Sequence, residues 1–69
     1  MIDPLPLRER ESLGLKIRRA REDMKITQSI LGSRVGQSQT IIGQIERGEL
    51  FRFPPNLKQA IFDVLKIED

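Results

Sequence analysis

Apolar side chains recur at helical spacing in several separate stretches of this chain, and no stretch alternates apolar and polar residues long enough to make a strand. In SLGLKIRRAREDM, Leu13, Ile17, Ala20 and Met24 fall on one stripe of a 3.6-residue period with Arg21 beside them, which predicts a first helix. Asp3 followed by Pro4 has the form of a cap and a first helical position, so one reading starts this helix earlier. Gly14 opposes that extension, because glycine in a helix interior is about 1 kcal/mol less favourable than alanine. Residues 1–12 therefore read either as an amino-terminal arm or as a helix extension, and residues 13–69 as the domain itself.

Thr27 is a natural cap for a second helix of about two turns, with Leu31 and Val35 on its buried side and Gly36 to stop it. Ser38 caps a third, whose inward face is Ile42 and Ile45 and which ends at Arg47 with Gly48 suited to a left-handed cap. The loop ELFRFPP follows. Asn56 with Gln59 three residues later is a loose capping box, and Leu57, Ile61, Val64 and Leu65 form one apolar face of a fourth helix. The expected fold is all-α.

Composition narrows the chemistry. At 69 residues the chain is one small domain with a thin stability margin, and with neither Cys nor His it can build no disulfide and none of the usual Cys/His zinc sites. The amino terminus lacks a basic start followed by an apolar run, and no segment is long and apolar enough to span a bilayer, so the expectation is a soluble, cytoplasmic protein. A net charge of +2 says little, but basic residues concentrate in KIRRAR (Lys16 to Arg21), with Lys25, Arg34, Arg47 and Arg52 elsewhere. Each is either part of a solvated helix face or a phosphate contact.

Two short helices across a glycine-containing turn are the mechanical parts of a helix-turn-helix, whose second helix enters the major groove of DNA. Ser38, Gln39 and Thr40 cluster at the start of the third helix, where side chains can reach base edges, and Gln44 lies further along. A glutamine amide can donate to and accept from one adenine edge at once, whereas Ser and Thr hydroxyls adapt to several bases.

On the residues IRRARE, TQSILGSRVG and QSQTIIGQIERG, the chain resembles the phage repressor and Cro family of helix-turn-helix regulators, the XRE family, from about Leu13 to Ile67. Gln28, Leu31, Gly36, Ile42, Ile45, Glu46 and Gly48 carry that pattern in order and spacing. The resemblance implies a compact lambda-repressor-like domain of four helices, or five. It implies that Thr27 and Gln28 hold a DNA phosphate at the start of the second helix, with Arg47 and the nearby Arg52 close to the backbone. Ser38, Gln39, Thr40, Gly43 and Gln44 take the positions that face the bases, and Arg21 and Glu46 the positions that commonly pair between the first and third helices. The partner implied is double-stranded DNA with an inverted-repeat operator, bound by a homodimer, with no cofactor and no metal.

The chain departs from the family pattern at several positions. Gly32 replaces a usual alanine, Gly43 brings no side chain to a base-facing position, Gln37 stands where an apolar residue is frequent, and Ile30 and Ile41 where polar ones are. Ile41 suits either a thymine methyl or packing against the neighbouring helix. Leu50, Phe51 and Phe53 either close the core beneath the fourth helix or form a partner surface.

Catalysis is not expected. Glu9, Glu11, Glu22, Asp23 and Glu46 lie on predicted helices among basic neighbours, and Ser38 has no activating partner in the sequence. The competing reading is a protein-interaction module of helix-turn-helix fold, antitoxin-like or a phage adaptor, favoured by Ile30, Ile41, Leu50 and Phe51. The polar base-facing set and its Arg and Lys neighbours favour DNA, since an apolar interface does not require them.

Overall fold

The computed structural model describes residues 7–50, 54 and 56–67, and every regular element among them is helical. There are four: α1 (Leu7–Asp23), α2 (Gln28–Val35), α3 (Gln39–Glu46) and α4 (Leu57–Leu65). The fold is all-α. Helix α1 continues through residues 7–12, so that stretch is helical, whereas the Asp3–Pro4 cap lies outside the described residues. No helix among the described residues is long and apolar enough to cross a membrane.

Hydroxyl caps start the two central helices. Both Thr27 and Ser38 have extended backbones, and their side-chain oxygens accept from Ile30 N at 3.1 Å and Ile41 N at 3.3 Å. Each cap thereby satisfies one of the N–H groups that a helix leaves unpaired in its first turn. Helix α4 begins differently from the capping box expected there. Asn56 makes no side-chain cap hydrogen bond at φ −108° and ψ 5°, and Gln59 donates instead to Asp63 at 2.8 Å. The backbone makes the turn, with Leu57 N donating to Pro54 O at 3.1 Å.

All four helices end in one way. After each, an N–H reaches back five residues: Ile26 N to Arg21 O, Gln37 N to Gly32 O, Glu49 N to Gln44 O and Ile67 N to Phe62 O. This closure needs a residue in the left-handed region, and glycine provides it without strain at Gly36 (φ 74°), which makes the turn between α2 and α3. Lysine takes the same role at Lys25 (φ 58°) and Lys66 (φ 57°). There the residue that follows, Ile26 or Ile67, turns inward and packs against the core. That accounts for Met24, which the periodic pattern put on the buried stripe of α1. The helix stops one residue before it, Met24 is exposed, and Ile26 covers the core at that end.

Ile17, Leu31, Ile42, Ile45, Leu57, Ile61, Phe62 and Leu65 form the core, drawn from all four helices. The buried face of α4 is rotated from the expected one: Phe62 is buried and Val64 only half-buried. The ammonium groups of Lys16 and Lys58 lie over the Phe62 ring, 5.9 and 5.4 Å from its centroid, within range of a cation–π attraction. Helix α3 packs against α1 and α2, and α4 packs against the same two helices from elsewhere.

Helix α1 crosses α3 at Gly14. A Cβ there would lie 2.6 Å from the Glu46 carbonyl oxygen and closer still to that of Ile45, so only glycine lets the helices approach this closely. The residue that weakens α1 as an isolated helix is thus what docks it. Propensity alone favours Gly14→Ala by about 1 kcal/mol. Because the obstructing atoms are backbone, overpacking by about 1–3 kcal/mol is expected to prevail and lower stability. Urea unfolding of the two proteins measures the sign, and a stabilised variant would refute the close approach.

Candidate functional site

The unit of interest is α2, the turn Gly36–Ser38, and α3. Its inner side is fixed by Leu31, Ile42 and Ile45, all essentially inaccessible to solvent. With that face of α3 in the core, the opposite side of the same short helix projects outward. Gln39 and Thr40 in its first turn are exposed, Gln44 is half-buried, and the Ser38 side chain is exposed although its oxygen serves as the cap. Its hydroxyl proton is still available to donate. The same holds for Thr27 at the head of α2.

A polar network sets the position of this unit on α1. Arg21 Nε donates to Glu46 Oε2 at 2.6 Å and Nη2 to Oε1 at 3.0 Å, the two-pronged geometry in which arginine and carboxylate match best. The third nitrogen of the guanidinium, Nη1, donates to the Ile26 carbonyl at 2.8 Å, tying in the turn after α1. Both side chains are largely withdrawn from solvent, at 12% and 3% exposure. The hydrogen bond to Glu46 raises the Arg21 pKa above its ordinary value against the opposing effect of burial, and the charges of Glu46 and Glu22 add to the rise. A raised folded-state pKa stabilises the fold below the ordinary arginine range and is lost only at pH above it.

Gln28 turns inward from the head of α2. Its side chain is half-buried, and Nε2 donates inward to Glu46 Oε1 at 3.1 Å, so that Glu46 receives both Arg21 and Gln28. Gly43 is buried because the side chains of Arg47 and Gln28 cover it. Arg47 itself is exposed and its Nε donates to Glu49 Oε1 at 3.1 Å.

Ile41 is half-buried against the core, and so is Leu50, while Ile30 remains 42% exposed. Arg52, Phe51 and Phe53 lie outside the described residues. Sequence reasoning had no access to the Gln28–Glu46 hydrogen bond. It joins the first residue of α2 to the last of α3, and no local spacing rule signals such a contact. The Arg47–Glu49 pair was within its reach, since the two are close in sequence, but that spacing is not a helical pairing pattern.

The arrangement offers exposed amide and hydroxyl groups at the head of a firmly anchored helix, with the amino terminus of α2 beside that helix's last turn. Such groups can read hydrogen-bonding edges and hold an anion. No protein-family model matches the chain, and neither does any curated protein sequence.

Removing one partner of the Arg21–Glu46 pair strands the other. Glu46→Ala is expected to destabilise the domain by about 3 kcal/mol or more, because it leaves a guanidinium without its carboxylate. The double variant Arg21→Met/Glu46→Leu is expected to recover part of that loss. Urea unfolding of Arg21→Met, Glu46→Leu and the double variant closes the cycle, and strictly additive losses would show that the pair is not coupled.

Proposed function

We propose that the domain is a sequence-specific reader of double-stranded DNA, of the phage repressor and Cro kind, working as a transcriptional regulator in the cytoplasm without cofactor or catalysis. One observation carries the reading: α3 is split lengthwise, with Ile42 and Ile45 in the core and Gln39 and Thr40 exposed on the outside of its first turn. A helix held in this way can be laid in a major groove without surrendering any core contact.

The roles divide by chemistry. Gln39, Thr40 and Gln44, with the proton of Ser38, face base edges and supply discrimination. Thr27 and the first N–H groups of α2 take a phosphate, an interaction favoured by the positive end of the helix dipole. Surface cations contribute affinity that falls with salt as counterions are released. The glutamine at position 28 acts at one remove, holding Glu46 and hence the orientation of α3. Two copies related by a two-fold axis would place their α3 helices about one helical turn of DNA apart, on an inverted repeat.

A second reading has a specific observation behind it. Ile30 on α2 is an exposed apolar side chain, as Leu15 and Met24 are elsewhere, and the DNA-reading roles given above do not use it. A protein-binding module of the same fold would use it. The polar face of α3 has no role in that reading, which is why DNA is preferred.

Selection from a random duplex library tests the proposal, with a symmetric enriched site as the expected result. On that site Gln39→Ala is expected to lower the preference at one base pair by about 1–3 kcal/mol while non-specific binding stays nearly intact. Fluorescence anisotropy with specific and random duplexes reads both quantities. Equal losses on the two would remove Gln39 from the base-reading set.

A further inference from the structure

An arginine side chain stands where residue 43 has none. A Cβ built on Gly43 would lie 3.0 Å from Arg47 Nη1 and 3.7 Å from its Cζ, with the Gln28 amide oxygen at 3.6 Å on the flank. Gly43 is buried for this reason, on a part of α3 that points away from the core. Residues 39, 43 and 47 lie four apart and share one stripe of the helix. The guanidinium of Arg47 has folded back along that stripe by about one turn, towards Gln39.

We propose that Arg47 is a base-reading residue seated on Gly43, and that it selects guanine. This rests on the DNA-binding reading above and alters it, since the family resemblance places position 47 at the sugar-phosphate backbone. The geometry favours the base for two reasons. First, a backbone contact needs no seat on the central stripe, whereas a reader must present its donors there. Second, Glu49 takes the Arg47 Nε at 3.1 Å, which orients the fork and leaves the two terminal nitrogens as its free end.

That free end is matched to one base. Guanine presents two adjacent acceptors, O6 and N7, in the major groove, and an arginine fork donates to both. Adenine offers an amino group beside its N7, and cytosine an amino group alone, so each sets a donor against a side chain that can only donate. A side chain at residue 43 would occupy the space the fork needs. The missing side chain of Gly43 is therefore a functional feature of the stripe, and Arg47 supplies the contact that position 43 would otherwise make.

Two variants separate this role from that of a plain phosphate contact. Gly43→Ala keeps the charge but puts a methyl group against Nη1, displacing the fork from its seat; alanine also favours the helix, so the fold is retained. Arg47→Lys keeps the charge and removes the fork, at an exposed position where folding is indifferent to the change. Both are compared with the unaltered chain in selection from a random duplex library, followed by anisotropy titrations at several salt concentrations, with circular dichroism to verify folding.

The unaltered chain is expected to enrich a guanine in each half-site, next to the base pair whose preference Gln39→Ala weakens. Gly43→Ala is expected to lose that guanine preference by roughly tenfold and Arg47→Lys, which keeps donors without the fixed fork, to weaken it less, with the salt dependence unchanged in both. If the folded Gly43→Ala variant keeps the guanine preference, Arg47 does not read from this seat and the inference is overturned, while the DNA-binding reading survives. If the unaltered chain enriches no site at all, both fall together.

Discussion

The orientation of α3 depends on a contact between its last turn and α1. Two features make it, and they work only together. Gly14 removes the side chain that would hold the two helices apart, and Arg21 on the same helix then reaches the Glu46 carboxylate with two hydrogen bonds. Neither side chain is well solvated at that point, so the pair gains from an environment of lowered dielectric only because both charges are present and hydrogen-bonded. Arg21 also takes the Ile26 carbonyl, and Glu46 also takes Gln28. One ion pair thus fixes the end of α1, the start of α2 and the end of α3 relative to one another.

A domain this small has few other means of fixing those angles. Helices of eight residues are too short to be stable alone, and α2 and α3 hold their shape through hydroxyl caps, left-handed closures and the burial of Leu31, Ile42 and Ile45. Helix α4 completes the core from the other side through Ile61, Phe62 and Leu65. Lys16 and Lys58 lie over the ring of Phe62. The repeated closure at all four helix ends shows the same economy. Where glycine is absent, a lysine accepts the unfavourable backbone and the isoleucine after it enters the core.

From this packing follows the division of α3 that the proposed function uses. With the inner face committed to the core and the last turn clamped by Glu46, the first turn is left to present Gln39 and Thr40 to solvent. The outer stripe is not simply a row of independent side chains. Gly43, Gln28 and Arg47 meet on it, and the guanidinium fills the space of an absent side chain. A site read position by position along the sequence would register a gap there. In three dimensions the gap is occupied by a residue four positions later.

The sequence by itself determined the helical class, the boundaries of α2 and α3 through Thr27, Gly36, Ser38 and Gly48, and most of the core, because caps, left-handed glycines and apolar periodicity are local and act within one turn. It also supplied the polar residues at the head of α3. Tertiary structure alone decided that Gly14 is a docking point and not a helix breaker, and that Lys25 turns the chain so that Ile26, not Met24, meets the core. It likewise decided that Phe62 outranks Val64 in burial, and that Gln28 faces Glu46 while Arg47 rests on Gly43. Each of these depends on how closely two segments distant in sequence approach, and distance across a packed interface leaves no periodic trace along the chain.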